Sequence, residues 1–246
     1  MPRFFVPGEQ INEEIVNIYD EDASHISYSL RMAKGEVITV CDETGKEYEC
    51  VLLELTRERV IAKIVNEKLS ETESPFHITL YQALPKGDKL ETVIQKAVEC
   101  GVSEIVPFES ERCVVKVKSD AEERKTIRRN RIAQEAAKQC GRGRIPQVSE
   151  TVGFLEAVER ASLADLCLIC YEDESGTTLK QALQKISPKA GSTISVMIGS
   201  EGGFSPGEIE AAKKHGMISV SLGKRILRTE TAPIFVLSCL AYQFEL

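Results

Sequence analysis

The chain has 246 residues, 31 Lys+Arg against 38 Asp+Glu, a formal net charge of −7, and 42% hydrophobic and 28% charged residues. At this length those proportions are those of one or two folded domains, and they exclude a disordered tail protein or a collagen-like chain. No apolar run reaches the roughly 18 residues of a membrane-spanning helix, and Met1-Pro2-Arg3-Phe4-Phe5 lacks a signal-peptide pattern, so a cytoplasmic protein outside any membrane is expected. There, the eight cysteines spread from Cys41 to Cys239 fit reduced thiols.

In chain order, Arg3–Val6, Ile15–Tyr19, Val37–Cys41, Tyr48–Leu55 and Val60–Val65 are β-branched or aromatic runs separated by turn signals such as Asp42-Glu43-Thr44-Gly45, and they predict five strands. A helix is predicted from Asp22 to Lys34, stopped by Gly35. Five strands and one helix suggest a small barrel. Asn66–Pro75 is polar and proline-terminated and reads as a linker, so domains are expected at 1–72 and 73–246.

Beyond Pro75, strand and helix alternate. Strands are predicted at Ile78–Leu84, Ile105–Phe108, Leu163–Tyr171, Thr193–Ile198 and Met217–Leu222, most of them continuous apolar runs suited to burial on both faces. Helices are predicted around Leu90–Val98, ending at Gly101, from a Ser119/Glu122 capping-box pattern to Cys140, and over Thr178–Ile186, Pro206–His215 and Ala232–Phe244. The expected fold is α/β, with a mainly parallel sheet and its ligand at the carboxyl ends of the strands.

Charge is unevenly distributed. Residues 1–74 hold 8 basic and 16 acidic side chains, whereas residues 112–144 hold 11 basic and 4 acidic ones. A solvated helix face is the ordinary explanation of such a run. Closely spaced Arg128, Arg129 and Arg131, then Arg142 and Arg144, favour a polyanion such as RNA, because guanidinium groups bind phosphate in a bidentate manner.

Two loops carry the most specific signals. Ile198-Gly199-Ser200-Glu201-Gly202-Gly203-Phe204-Ser205-Pro206-Gly207-Glu208 follows a buried strand and opens a helix, with Ser205 as N-cap, Pro206 as first helical residue and Glu208 as its N3 partner. A tight turn accounts for one glycine but not for three, which let a ligand approach the backbone. The loop lacks both the Walker ending and the GxGxxG spacing. Leu222-Gly223-Lys224-Arg225-Ile226-Leu227-Arg228-Thr229-Glu230-Thr231-Ala232-Pro233 places an apolar pair between arginines, suited to wall a flat base. Alternatively, Thr231 caps the last helix and the arginines are solvated. Cys167 and Cys170 form a lone CxxC inside a predicted strand, with three histidines in the chain, so no metal is expected. His215 sits at a helix C-terminus, where the dipole accounts for it.

These loops resemble the two signature loops of the SPOUT methyltransferases, specifically the RsmE-type family that methylates uridine N3 in 16S ribosomal RNA. The resemblance extends through His25…Leu30-Arg31…Gly35, Gln82–Lys89 with Gln95–Val102, Ser110–Cys113 and Glu135–Arg142. Ser200 replaces a usual proline, Cys140 a common serine and Cys100 a common leucine. The resemblance implies a SPOUT-type α/β domain with a trefoil knot, a PUA-like N-terminal RNA-binding barrel, a homodimer, and S-adenosylmethionine held by Gly199, Glu201, Gly202, Gly203, Leu222, Gly223, Ile226 and Leu227. It implies 16S rRNA of the small ribosomal subunit as partner; together with the basic run at 112–144, this makes Arg3, Arg31, Lys86, Arg112, Arg128, Arg129 and Arg142 the expected RNA-binding residues. Arg228 and Glu230 are the expected catalytic pair. Arg228 ranks first as a charge stabiliser, and Glu230 is its orienter or a weak base. The rival reading is a non-catalytic RNA-binding or ribosome-assembly protein that keeps the fold.

Overall fold

The computed structural model describes residues 1–42, 44–116 and 119–246, and of residues 119–121 the backbone alone. Glu43 of the expected turn and the side chain of the expected N-cap Ser119 lie outside it. The chain divides into two compact units, 1–73 with 137–145 and 74–136 with 146–246.

In the first unit, β1 (Arg3–Phe5), β2 (Ile15–Tyr19), β3 (Val37–Cys41), β4 (Lys46–Leu55) and β5 (Arg59–Leu69) form one sheet in the order β1-β3-β4-β5-β2. Among the described residues no ladder joins β1 to β2, so the sheet wraps its core as a half-barrel. That core holds Phe4, Val16, Ile18, Ile26, Ile38, Val40, Leu52 and Val60.

Two expectations change here. Residues 66–69 are not linker but the end of β5, paired with Glu49 back to Lys46. Their polarity reflects an exposed ladder, because backbone pairing needs no apolar side chain. The expected helix is shorter: α1 (Asp20–Ser24) passes into a π-helical turn at His25–Ser29, and Arg31 at φ 53° ends it. A left-handed residue cannot continue a right-handed helix.

The second unit is a wholly parallel sheet of β12 (Ile218–Val220), β10 (Leu166–Cys170), β11 (Thr193–Ile198), β6 (His77–Ala83), β7 (Glu104–Glu109) and β8 (Gln147–Val148), in that order, with β9 (Val152–Gly153) also on β7. Strands β6, β10 and β11 are buried almost throughout, as their apolar runs require. Helices α2 (Lys89–Glu99), α5 (Leu179–Gln184) and α7 (Ala232–Phe244) pack together. Helix α4 (Phe154–Ala161) lies on β6, β7 and β11, where Ser195 Oγ donates to the Ala161 carbonyl at 2.7 Å. α3 (Ser119–Cys140), up to Ala136, and α6 (Pro206–Lys214) complete the unit. The Glu122 carboxylate accepts from Arg129 and Thr151, and the expected Ser119/Glu122 capping box lies outside the described residues. β8 and β9, two residues each, are too short to show a period, and α4 is a helix not predicted from the sequence.

Within the first unit, Arg142 is 5% exposed and its guanidinium meets the Glu73 carboxylate, which also accepts the backbone N–H of Gly143 at 2.9 Å and of Arg144 at 3.1 Å. Removing one partner of a buried pair strands the other charge, at a cost of about 3–5 kcal/mol. Arg142→Ala is therefore expected to lose about 3 kcal/mol in urea unfolding. A loss below about 1 kcal/mol would mark the pair as a solvated surface bridge.

Candidate active site

A cavity of about 540 Å³ opens at the carboxyl ends of β10, β11 and β12, where an α/β sheet places its ligands. Its walls are residues 170–172, 198–203 and 221–229, with Lys89 and Ala232.

Each glycine of the first loop has its own reason. The loop closes tightly, with Gly203 N–H donating to Ser200 O at 3.0 Å. A Cβ on Gly199 would meet Gly203 Cα and C at 3.2 Å, and Gly203 lies at φ +64°, where a Cβ would fall on the Glu172 carboxylate. A Cβ on Gly202 would meet Arg112 Cβ at 2.9 Å, so that glycine is required by the 112 loop rather than by space for a ligand. Arg112 Nη1 in turn donates to Gly202 O at 2.9 Å. Beneath the loop, Phe204 is 1% exposed and stacks on Phe108, with ring centroids 6.3 Å apart. Ser205 and Glu208 form the expected capping box with Pro206 in the first turn, and the second oxygen of Glu208 accepts Glu111 N–H at 2.8 Å.

The second loop turns at Gly223, φ +112°. Ile226 is 87% exposed, Leu227 and Leu222 are half-buried, and Arg228 is exposed with no ion pair among the described residues. Thr231 stands at the N-cap position of α7 but makes no side-chain capping hydrogen bond; its N–H and that of Ala232 donate to Arg228 O at 2.8 and 3.0 Å. A three-centre link ties the loops together. Thr229 Oγ1 donates to Gly199 O at 2.8 Å and accepts from Gln82 Nε2 at 3.1 Å, with Gln82 fully buried at the end of β6.

Glu201 and Glu230, one from each loop, both face Lys89, whose Nζ lies 2.8 Å from Glu201 Oε1 and 3.5 Å from Glu230 Oε2. Burial pushes the Glu201 carboxyl up, but the hydrogen bond from Lys89 and the Lys86 N–H outweigh it and hold the group below the usual carboxylate range. The Glu201 hydrogen bond likewise raises Lys89 above its ordinary value. Cys170 contributes a cavity wall, its thiol pushed up to about 12 by burial. His215 Nδ1 is 2.8 Å from Ala211 O, a local helix-end contact.

The structure thus brings Gly199, Glu201, Gly202, Gly203, Leu222, Gly223, Ile226, Leu227 and Arg228 to one cavity, with Glu230 joined to it through Lys89. Lys86 and Arg112 stand exposed beside the first loop. The other expected RNA-binding arginines separate. Arg128 is exposed and pairs with Glu91, and Arg31 is exposed. Arg129 is 8% exposed, locked on Glu122 and Thr151; Arg142 is buried on Glu73; Arg3 is held by Glu47 at 2.7 Å and Cys41. Those three are turned inward because each satisfies a carboxylate that the fold buries. Lys89, Gln82, Thr229 and Glu172 received no role from the sequence. The available signals were a lysine opening a helix, against the dipole, and a glutamine ending an apolar strand.

Residues 72–241 match the RNA methyltransferase domain family, and residues 18–65 match the RNA methyltransferase PUA domain. The ribosomal RNA small subunit methyltransferase E of Bacillus subtilis is 35% identical, over 100% of this chain and 98% of its own length. The Neisseria gonorrhoeae protein of that name, solved bound to S-adenosyl methionine, superposes with a TM-score of 0.87 at 34% identity, covering 99% of this chain and 98% of that one. A Legionella pneumophila protein solved with the cofactor SAM gives 0.85 at 34% identity, covering 98% and 96%. With a family match over residues 72–241 and a relative 35% identical over the full chain, this chain belongs to the ribosomal RNA small subunit methyltransferase E family of RNA methyltransferases.

Proposed function

We propose that this protein transfers the methyl group of S-adenosylmethionine to N3 of a uridine in 16S rRNA of the small ribosomal subunit, with 1–72 acting as a PUA-like RNA-binding domain and 73–246 as the knotted catalytic domain. The observation that carries this reading is the cavity between the two loops joined by Thr229. It favours an enzyme over a non-catalytic assembly protein, which would need no such cavity. Its residues fit the cofactor: Ile226 and Leu227 offer an apolar wall, and Gly199 and Gly203 expose backbone. When bound, S-adenosylmethionine supplies an already activated methyl on a sulfonium centre, so the protein's task is largely alignment. Arg228, solvated and without an ion pair among the described residues, is suited to stabilise negative charge developing on the pyrimidine oxygens as the N3 proton leaves. Glu230 stands two residues away as its orienter or a weak proton acceptor. The cytoplasmic location and the homodimer belong to the same proposal. Exposed Phe235 and Tyr242 on α7 supply an apolar face for the second subunit.

Three outcomes test this. Gly203→Val is expected to abolish cofactor binding in calorimetry, because the side chain meets the Glu172 carboxylate in a backbone region closed to valine. Wild-type affinity in a folded variant moves the site elsewhere. In single-turnover methylation with both substrates saturating, Arg228→Ala should slow the reaction about 10²–10³-fold, and Glu230→Gln less. Unchanged rates in both make the pair structural. Arg128→Glu should weaken RNA binding and reduce its salt slope through fewer released counterions, with cofactor affinity intact. Arg129→Glu should instead lower the melting temperature, because it faces Glu122. An unaltered salt slope for Arg128→Glu returns that helix face to simple solvation.

A further inference from the structure

Lys89 is the first residue of α2, where the helix dipole disfavours a cation. Nothing in the helix explains it: the residue lines the cavity, and Asp88 before it makes no side-chain cap. The compensation is external. Its ammonium stands between two carboxylates from different loops, Glu201 at 2.8 Å and Glu230 at 3.5 Å. Glu230 Oε2 is buried and makes no hydrogen bond, so this ion pair is what that oxygen faces. Glu201 Oε1 is additionally anchored by Lys86 N–H at 3.1 Å, which joins the turn before α2 to the glycine loop. One lysine therefore connects three segments that reach the cavity separately along the chain.

Resting on the methyltransferase reading, the geometry points to Lys89 as a positioning residue for the reaction. It holds Glu230 beside Arg228 and fixes the Glu201 loop to the same point, so that the two cavity walls keep one spacing. Without the ammonium, two carboxylates face each other and repel, and the loops separate. Thr229 still ties the loops at their base. The expected defect is therefore loss of alignment at the mouth rather than unfolding.

The test is a double-mutant cycle on the full-length protein. Single-turnover methylation is measured with RNA and cofactor saturating, alongside calorimetry with S-adenosylhomocysteine. Lys89→Met should slow methylation by about 10²-fold, the scale of a displaced reacting group, with a melting temperature close to wild type. Lys89→Arg, which keeps a cation between the carboxylates, should recover most of the rate. Lys89→Met combined with Glu230→Gln should be no slower than Lys89→Met alone, because the lysine acts through that carboxylate. Multiplying defects, or an arginine variant no better than methionine, overturn the positioning role while leaving the methyltransferase reading standing. A wild-type chain that neither binds S-adenosylhomocysteine nor methylates RNA overturns that reading and the proposal with it.

Discussion

The hydrogen bond from Thr229 Oγ1 to Gly199 O is the constraint on which the site depends. Two loops about 25 residues apart in the chain each follow a buried parallel strand, and each is free to point elsewhere as far as its own sequence is concerned. The threonine hydroxyl closes them on each other, and Gln82 Nε2 completes the hydroxyl's pairing from a third strand. Both side chains are buried, and the Thr229 hydroxyl has its donor and its acceptor role met inside the fold. Removing one strands a donor or acceptor at about 1–3 kcal/mol. The cavity opens between two loops whose bases are joined in this way.

The glycines beside that link serve geometry as much as ligand access. Gly199 permits the close return of Gly203, Gly203 permits the approach of Glu172, and Gly202 permits the approach of Arg112. Phe204 roots the same loop in an aromatic cluster with Phe108 and Phe154. The loop is thus rigid on its inner side and carries its charge, Glu201, on the outer side, where Lys89 meets it. Local rigidity and exposed charge in one segment suit alignment chemistry, in which a small displacement is costly.

Arginine has two uses in this chain, and composition cannot separate them. Arg129 and Arg142 lie in the most basic stretch of the sequence, yet both are buried against carboxylates. Arg128, adjacent to Arg129, is exposed because consecutive helix positions point about a quarter-turn or more apart. The strongly acidic first unit contains Glu47 and Glu73, which receive Arg3 and Arg142. Part of the apparent charge asymmetry therefore reflects internal pairing rather than a surface field.

The sequence by itself determined strands β6, β7, β10, β11 and β12, the capping box at Ser205, the last helix and the two loops that matter, because apolar period, turn chemistry and caps are local properties. It misjudged residues 66–69, since a polar exposed strand and a linker have the same composition, and it overextended the first helix, since a left-handed Arg31 leaves no mark in the residue pattern. Only the tertiary structure decided which arginines are buried, that Thr231 makes no side-chain cap at the start of α7, and that Lys89 stands between Glu201 and Glu230. Each of those outcomes depends on partners far away in the chain, on strand register and on which side chain a fold happens to bury, and none of these is encoded in a window of neighbouring residues.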